Sequence, residues 1–167
     1  MIVLVGFMGA GKTTVGELLA ARLGLPFTDA DHAIAENEEM PVPQIFAERG
    51  EAAFRALEAE TIASLLAGPR LVLALGGGAV EHEQTRRVLK AAEHVVYLHV
   101  PYPAALDRVG GDAGRPMLQR ADLAEIFQRR LAAYAGVATY TVSTEGRPPE
   151  HVCADIVEHL ARAQADR

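Results

Sequence analysis

Cysteine occurs once in 167 residues, at Cys153, which excludes an internal disulfide and leaves no thiol partner for a zinc cluster. A lone thiol suits a reducing cytoplasm, and in the terminal helix it is expected to be packed rather than reactive. Positive charge is scarce as well. Sixteen basic against 22 acidic residues leave a net charge of −6, which argues against a global electrostatic grip on nucleic acid or on an anionic membrane. No stretch reaches the roughly 18 uninterrupted apolar residues of a membrane span, because Pro69 and Arg70 interrupt the best candidate. The apolar first eight residues lack a basic leading region, and Lys12 follows too soon for a cleavable signal, so a soluble, untargeted protein is expected. The six histidines show no ligand spacing.

What is present reads as one globular domain, residues 1–167, in which strands alternate with helices. Ile2-Val3-Leu4-Val5 is a β-branched run ending in a glycine loop, and residues 14–23 then repeat apolar positions at helical spacing. Phe27-Thr28 is a brief extended piece. A helix is expected over 32–39, broken by Pro41 and Pro43, and a second over about 50–66 with Phe54, Leu57, Thr61 and Leu65 on one face. Residues 71–75 and 94–100 are continuous apolar runs, the habit of parallel strands buried on both faces. Helices are expected near 83–92, 102–108 and 122–135, with a last strand at 140–143 and a closing helix to about 163. The pattern predicts an α/β fold with helices on both faces of the sheet.

Gly6-Phe7-Met8-Gly9-Ala10-Gly11-Lys12-Thr13 satisfies G-x-x-x-x-G-K-[ST], directly after a strand and opening a helix. Glycines let successive N–H groups turn inward, and the helix N-terminus adds its positive end, so a polyphosphate is gripped by amides. Lys12 offers a point charge to the β and γ phosphates, and Thr13 a hydroxyl to Mg²⁺. The 16 basic residues include just two lysines, Lys12 and Lys90, and arginine could not do the same job at this point. Neither lysine follows an asparagine, so the base-reading motif of a GTPase is missing.

The runs ending at Leu75 and Val100 stop in Gly76 and Pro101, so a metal-directed carboxylate has to come from elsewhere. Asp29 and Asp31 are two apart at the end of the second strand, where both would point to one side if the chain stayed extended. A cap for the following helix is the competing use. Arg55 and Glu58 stand three apart on one helix, close enough for the carboxylate to orient the guanidinium, although such pairs are usually solvated ion pairs. Gly76-Gly77-Gly78 after a buried strand permits close backbone approach to a ligand, or is simply a turn.

Five segments in register, GFMGAGKTT (6–14), FTDAD (27–31), RGEAAFRALE (49–58), LALGGGAV (73–80) and GRPML (114–118), resemble the shikimate kinase family across nearly the whole chain. The resemblance implies a three-layer α/β/α P-loop fold with a five-stranded parallel sheet in order 2-3-1-4-5. It also implies a phosphate loop at 6–14, a shikimate-binding region at about 29–60 and a mobile lid at about 110–121. The implied reaction moves the γ-phosphoryl of ATP to the 3-hydroxyl of shikimate, with Mg²⁺ as cofactor. Asp31 becomes the base, with Lys12 and Arg115 as the other catalytic groups. Gly9, Ala10, Gly11, Lys12, Thr13, Thr14, Arg108, Arg115 and Arg147 fall to ATP, and Thr13 and, through water, Asp29 fall to the metal. Arg55, Arg130 and the Gly77 and Gly78 backbone hold the shikimate carboxylate, Glu58 orients Arg55, and Met8, Phe46 and Phe54 wall the ring. Glu39-Met40-Pro41-Val42-Pro43 stands where the family has a glycine-containing turn. A monomer is expected. The rival readings are a P-loop kinase for gluconate or a nucleoside monophosphate, and an ATP-binding module without an acceptor site; a module of that kind need not keep Asp31, Arg55 and Arg130.

Overall fold

The computed structural model describes residues 1–110 and 121–165. Five strands, β1 (Ile2–Val5), β2 (Phe27–Asp29), β3 (Val72–Ala74), β4 (His94–His99) and β5 (Tyr140–Ser143), form one sheet in the order β2-β3-β1-β4-β5, with every pair parallel. The helices are α1 (Lys12–Leu23), α2 (Ala30–Asn37), α3 (Val42–Ala67), α4 (Glu83–Leu89), α5 (Tyr102–Val109), α6 (Leu123–Val137) and α7 (Pro149–Ala165). All four residues of β1 are buried, as are the three of β3, so both strands are covered on two faces as their continuous apolar runs foretold.

Register decides where the loops emerge. Leu4 pairs with Ala74, and Ala74 pairs with Asp29. The chain after β1, after β2 and after β3 therefore leaves the sheet at one height on its carboxyl edge, where open α/β sheets bind ligands.

Two local expectations are corrected. The break expected at the prolines is there, between Asn37 and Val42, but the second helix begins at once rather than near Gly50: Pro41 caps α3 and Pro43 lies in its first turn, where a missing N–H is no loss. Helix α3 thus starts eight residues before Gly50, whose φ of 80° and ψ of 171° divide it. Its buried face is Phe54, Glu58, Ala59 and Ile62, with Leu57, Thr61 and Leu65 only partly covered, because the helix packs a carboxylate inward. Glu39, in the turn lacking glycine, takes the left-handed region at φ 51°.

The main core gathers around the sheet. A separate small cluster of Ile34, Ile45 and Phe54, flanked by Met40, Val42, Phe46 and Leu57, joins α2 to α3. Among the described residues no helix is long and apolar enough to cross a membrane, and Cys153 is buried.

Candidate active site

The loop between β1 and α1 has the backbone that an anion cradle needs. Gly9 and Gly11 adopt φ of 74° and 90°, and a Cβ on Gly9 would lie 2.6 Å from the Ala105 carbonyl oxygen, so both positions require glycine. Gly11 caps α1 without a side chain, which leaves the first helical N–H groups pointing into the loop. Lys12 curls over it, its Nζ donating to the carbonyls of Gly6 at 2.8 Å and Phe7 at 3.1 Å. Phe7 itself points down, edge-on to Phe127 of α6 with centroids 5.0 Å apart.

Asp29 and Asp31 divide the two uses foreseen for them. Strand β2 ends at Asp29 and α2 begins at Ala30, so the pair does not share one side of an extended segment. Asp29 caps α2, its Oδ1 accepting from the N–H groups of Asp31 at 2.9 Å and His32 at 3.3 Å. Asp31 lies in the first helical turn and packs on the glycine triplet: a Cβ on Gly76 would stand 3.1 Å from its Oδ1 and 3.3 Å from its Oδ2. Burial raises the Asp31 pKa above the ordinary aspartate value and Asp29 pushes the same way, with Arg55 and Lys12 offsetting only part.

The glycines after β3 are demanded by close approach. A Cβ on Gly78 would sit 3.0 Å from Arg55 Cζ, closer still to its Nη2, and 3.1 Å from Arg130 Nη2. One on Gly77 would meet Arg130 Nη1 at 3.6 Å. Two guanidiniums thus flank one bare stretch of backbone. Arg55 is held by Glu58, whose Oε2 accepts from Nη1 at 2.7 Å, and it lies over the Phe54 ring, 5.3 Å from its centroid. Glu58 is fully buried; burial raises its pKa and the Arg55 pairing opposes that rise. Arg130 sits on the apolar stripe of α6, 7% exposed among Leu123, Ile126, Phe127 and Tyr134.

Two adjoining hollows share Gly9, Gly11, Thr14 and Arg108. One, of about 360 Å³, is bordered by Met8, Lys12 and Thr13. The other, of about 230 Å³, includes Ala10 and extends to Thr144 and Arg147. Arg108 is their common wall, its Nη1 donating to the carbonyl of Gly9 and to Thr144 Oγ1, both at 3.0 Å. Arg147 is tied to Asp155 at 2.7 Å. Phe46 packs at a tilt on Phe54 with centroids 4.4 Å apart, so both ring-wall candidates belong to the small cluster, while Met8 borders the phosphate hollow. Arg115 and most of the expected lid lie outside the described residues.

Sequence reasoning missed two residues. Tyr134 donates to the Gly77 carbonyl at 2.6 Å; its place one turn beyond Arg130 was the available signal. Glu81 binds both Arg129 and Arg130, and with partners 48 and 49 positions away it had none.

A glycine loop opening a helix at the carboxyl edge of a 2-3-1-4-5 parallel sheet, with two arginines and an aspartate gathered on the glycines that follow β3, defines a P-loop phosphotransferase. The model of the family described as shikimate kinase matches residues 8–161. The shikimate kinase of Salinispora arenicola is 49% identical over 162 residues, 95% of this chain and 96% of that one. The solved shikimate kinase from Acinetobacter baumannii in complex with shikimate superposes with a TM-score of 0.90 at 38% identity, covering 97% of this chain and 93% of that one. A gluconokinase from Sinorhizobium meliloti, at 21% identity and a TM-score of 0.67 over 99% and 93% of the two chains, shares the fold. The chain belongs to the shikimate kinase family.

Proposed function

We propose that the chain phosphorylates the 3-hydroxyl of shikimate with ATP, giving ADP and 3-phosphoshikimate on the route to chorismate and the aromatic amino acids. The observation that carries this reading is the arginine pair at Gly78, set beside Asp31 and within the electrostatic reach of Lys12. Two guanidiniums aimed at one bare backbone segment match a carboxylate, and Asp31 packs on the neighbouring Gly76 within electrostatic reach of both Arg55 and Lys12.

In the reaction the acceptor hydroxyl oxygen bonds to the γ-phosphorus while the bond from that phosphorus to the bridging oxygen of ADP breaks. ADP leaves with the electron pair, and the hydroxyl proton passes to Asp31. Lys12 and the loop amides stabilise the charge that spreads over the transferring group. Arg115 has the same assigned task. Arg108 and Arg147 line the nucleoside end, and Met8, Phe46 and Phe54 wall the acceptor. Thr13 and Asp29 are oxygen donors, the kind Mg²⁺ prefers, so they would hold it, Asp29 through water. When bound, Mg²⁺ neutralises phosphate charge. A monomer in a reducing cytoplasm completes the reading, supported by a single buried thiol and by the lack of exposed large hydrophobic side chains among the described residues.

Coupled ADP release measured with shikimate, gluconate and AMP as acceptors tests the assignment. Turnover with shikimate is expected, because a compact ring acid can meet the N–H groups that Arg55 and Arg130 do not spend on Glu58 and Glu81. Turnover with gluconate alone would overturn it.

A further inference from the structure

We propose that Glu81 is a positioning residue for the acceptor cradle, gripping Arg130 from the side so that the rest of its guanidinium faces Gly77 and Gly78. The inference rests on the acceptor reading given above.

Glu81 closes the short 3-10 turn Ala79–Glu81 that follows the glycine triplet. Its backbone is pinned from two directions: its N–H donates to the Gly78 carbonyl at 3.0 Å, and Arg86 Nη1 donates to the carbonyls of Val80 at 2.8 Å and Glu81 at 2.7 Å. Each carboxylate oxygen is committed to a different arginine. Oε2 takes Arg130 through both Nε and Nη2, at 2.7 Å each. Oε1 takes Arg129 through Nε and Nη2, at 2.8 Å each. A side-on grip that includes Nε fixes the plane of the guanidinium, and it leaves Nη1 and the outer side of Nη2 toward the glycines.

The alternative orientation has a visible attractor. Glu58 Oε1 is buried with no hydrogen-bond partner among the described residues, and Arg130 is close enough to bias the Glu58 charge. Released from Glu81, Arg130 would be drawn to that oxygen and away from the acceptor. Burial raises the Glu81 pKa, but hydrogen bonds from Arg129 and Arg130 outweigh it and hold the group below the ordinary glutamate value. The grip therefore stays charged at neutral pH. Glu81 does for Arg130 what Glu58 does for Arg55, so each half of the cradle carries its own carboxylate brace.

Steady-state kinetics of the whole chain with shikimate and MgATP test this, using Glu81→Gln, Glu81→Asp and Arg130→Lys, with thermal unfolding as the folding control. Glu81→Gln should raise the shikimate KM about tenfold and leave kcat and the ATP KM within about twofold, since the loss falls on binding of one substrate. Glu81→Asp, which keeps the charge, should recover part of that loss. In an Arg130→Lys background Glu81→Gln should add less than about twofold, because lysine offers no Nε edge to hold. An unchanged shikimate KM, a lowered one, or an equal loss in both substrates' KM and in kcat would each overturn the proposal. Absence of shikimate turnover in the unsubstituted enzyme would sink the acceptor reading, whereas turnover indifferent to Glu81 would sink only this inference.

Discussion

Replacing Gly78 by alanine separates folding from acceptor binding. Gly78 has φ −89° and ψ −10°, a helical conformation open to any L residue, so no backbone strain arises. Its new methyl would fall inside van der Waals contact with Arg55 Nη2, 3.0 Å from Cζ and 3.1 Å from Arg130 Nη2. Guanidinium tips are movable, and a retreat on the order of 1 Å relieves the overlap at the cost of an off-rotamer Arg55, about 0.5–1.5 kcal/mol. The lost glycine entropy of the unfolded chain returns about 0.4–1 kcal/mol. Stability should therefore change by less than about 1 kcal/mol. Acceptor binding fares worse, because a displaced Arg55 forfeits a charge-assisted hydrogen bond of about 1.5–3 kcal/mol, roughly a 10- to 150-fold rise in the shikimate KM. ATP should bind as before. Thermal unfolding together with coupled ADP release reads both quantities. A shikimate KM within about threefold of the unsubstituted enzyme, in a variant of normal stability, would refute the claim that this guanidinium position holds the acid.

Asp31→Asn should abolish turnover by removing the proton acceptor, with Tm little lowered; near-normal kcat would remove Asp31 as base. Because its pKa is raised, kcat/KM should fall on the acid side at a pH above the ordinary 3.8. Stability should run the other way. Between 3.8 and the folded value for Asp31, and between 4.5 and the folded value for Glu58, the native state holds more protons than the unfolded one, so these groups make stability fall as pH rises through those windows. Denaturant titrations across that range should show the Asp31 share vanish in Asp31→Asn. Gly16→Ala should destabilise by about 1–3 kcal/mol, since the added methyl meets Phe27 Cδ2 at 3.0 Å and Leu4 Cδ1 at 3.2 Å in a packed interior; an unchanged Tm would contradict that packing.

The sheet was legible because its strands announce themselves. Runs such as 71–75 and 94–100 end in glycine or proline, and the last strand is observed at Tyr140–Ser143, where the pattern placed it. The phosphate loop was legible for the same local reason, since its spacing is set by one ligand. The prolines marked the break after α2 but hid the start of α3, because a proline in a first helical turn and one that breaks a helix look alike until the turn is seen. Asp29 and Asp31 misled because the switch from extended to helical backbone fell between them. Glu81 was beyond reach for a different reason: its importance comes from α6 folding back over the triplet, a contact of the whole fold, whereas Tyr134 at least stood one turn beyond Arg130.

The small cluster of Ile34, Ile45 and Phe54 stands apart from the core beneath the phosphate loop. Arg55 and the proposed aromatic walls, Phe46 and Phe54, are therefore mounted on an annex that joins the main core through Ala30 of α2 and Ile62 of α3. Substitutions that reshape this annex can retune which acid is accepted while the nucleotide machinery keeps its support, so selectivity is free to drift in evolution without a matching toll on the sheet.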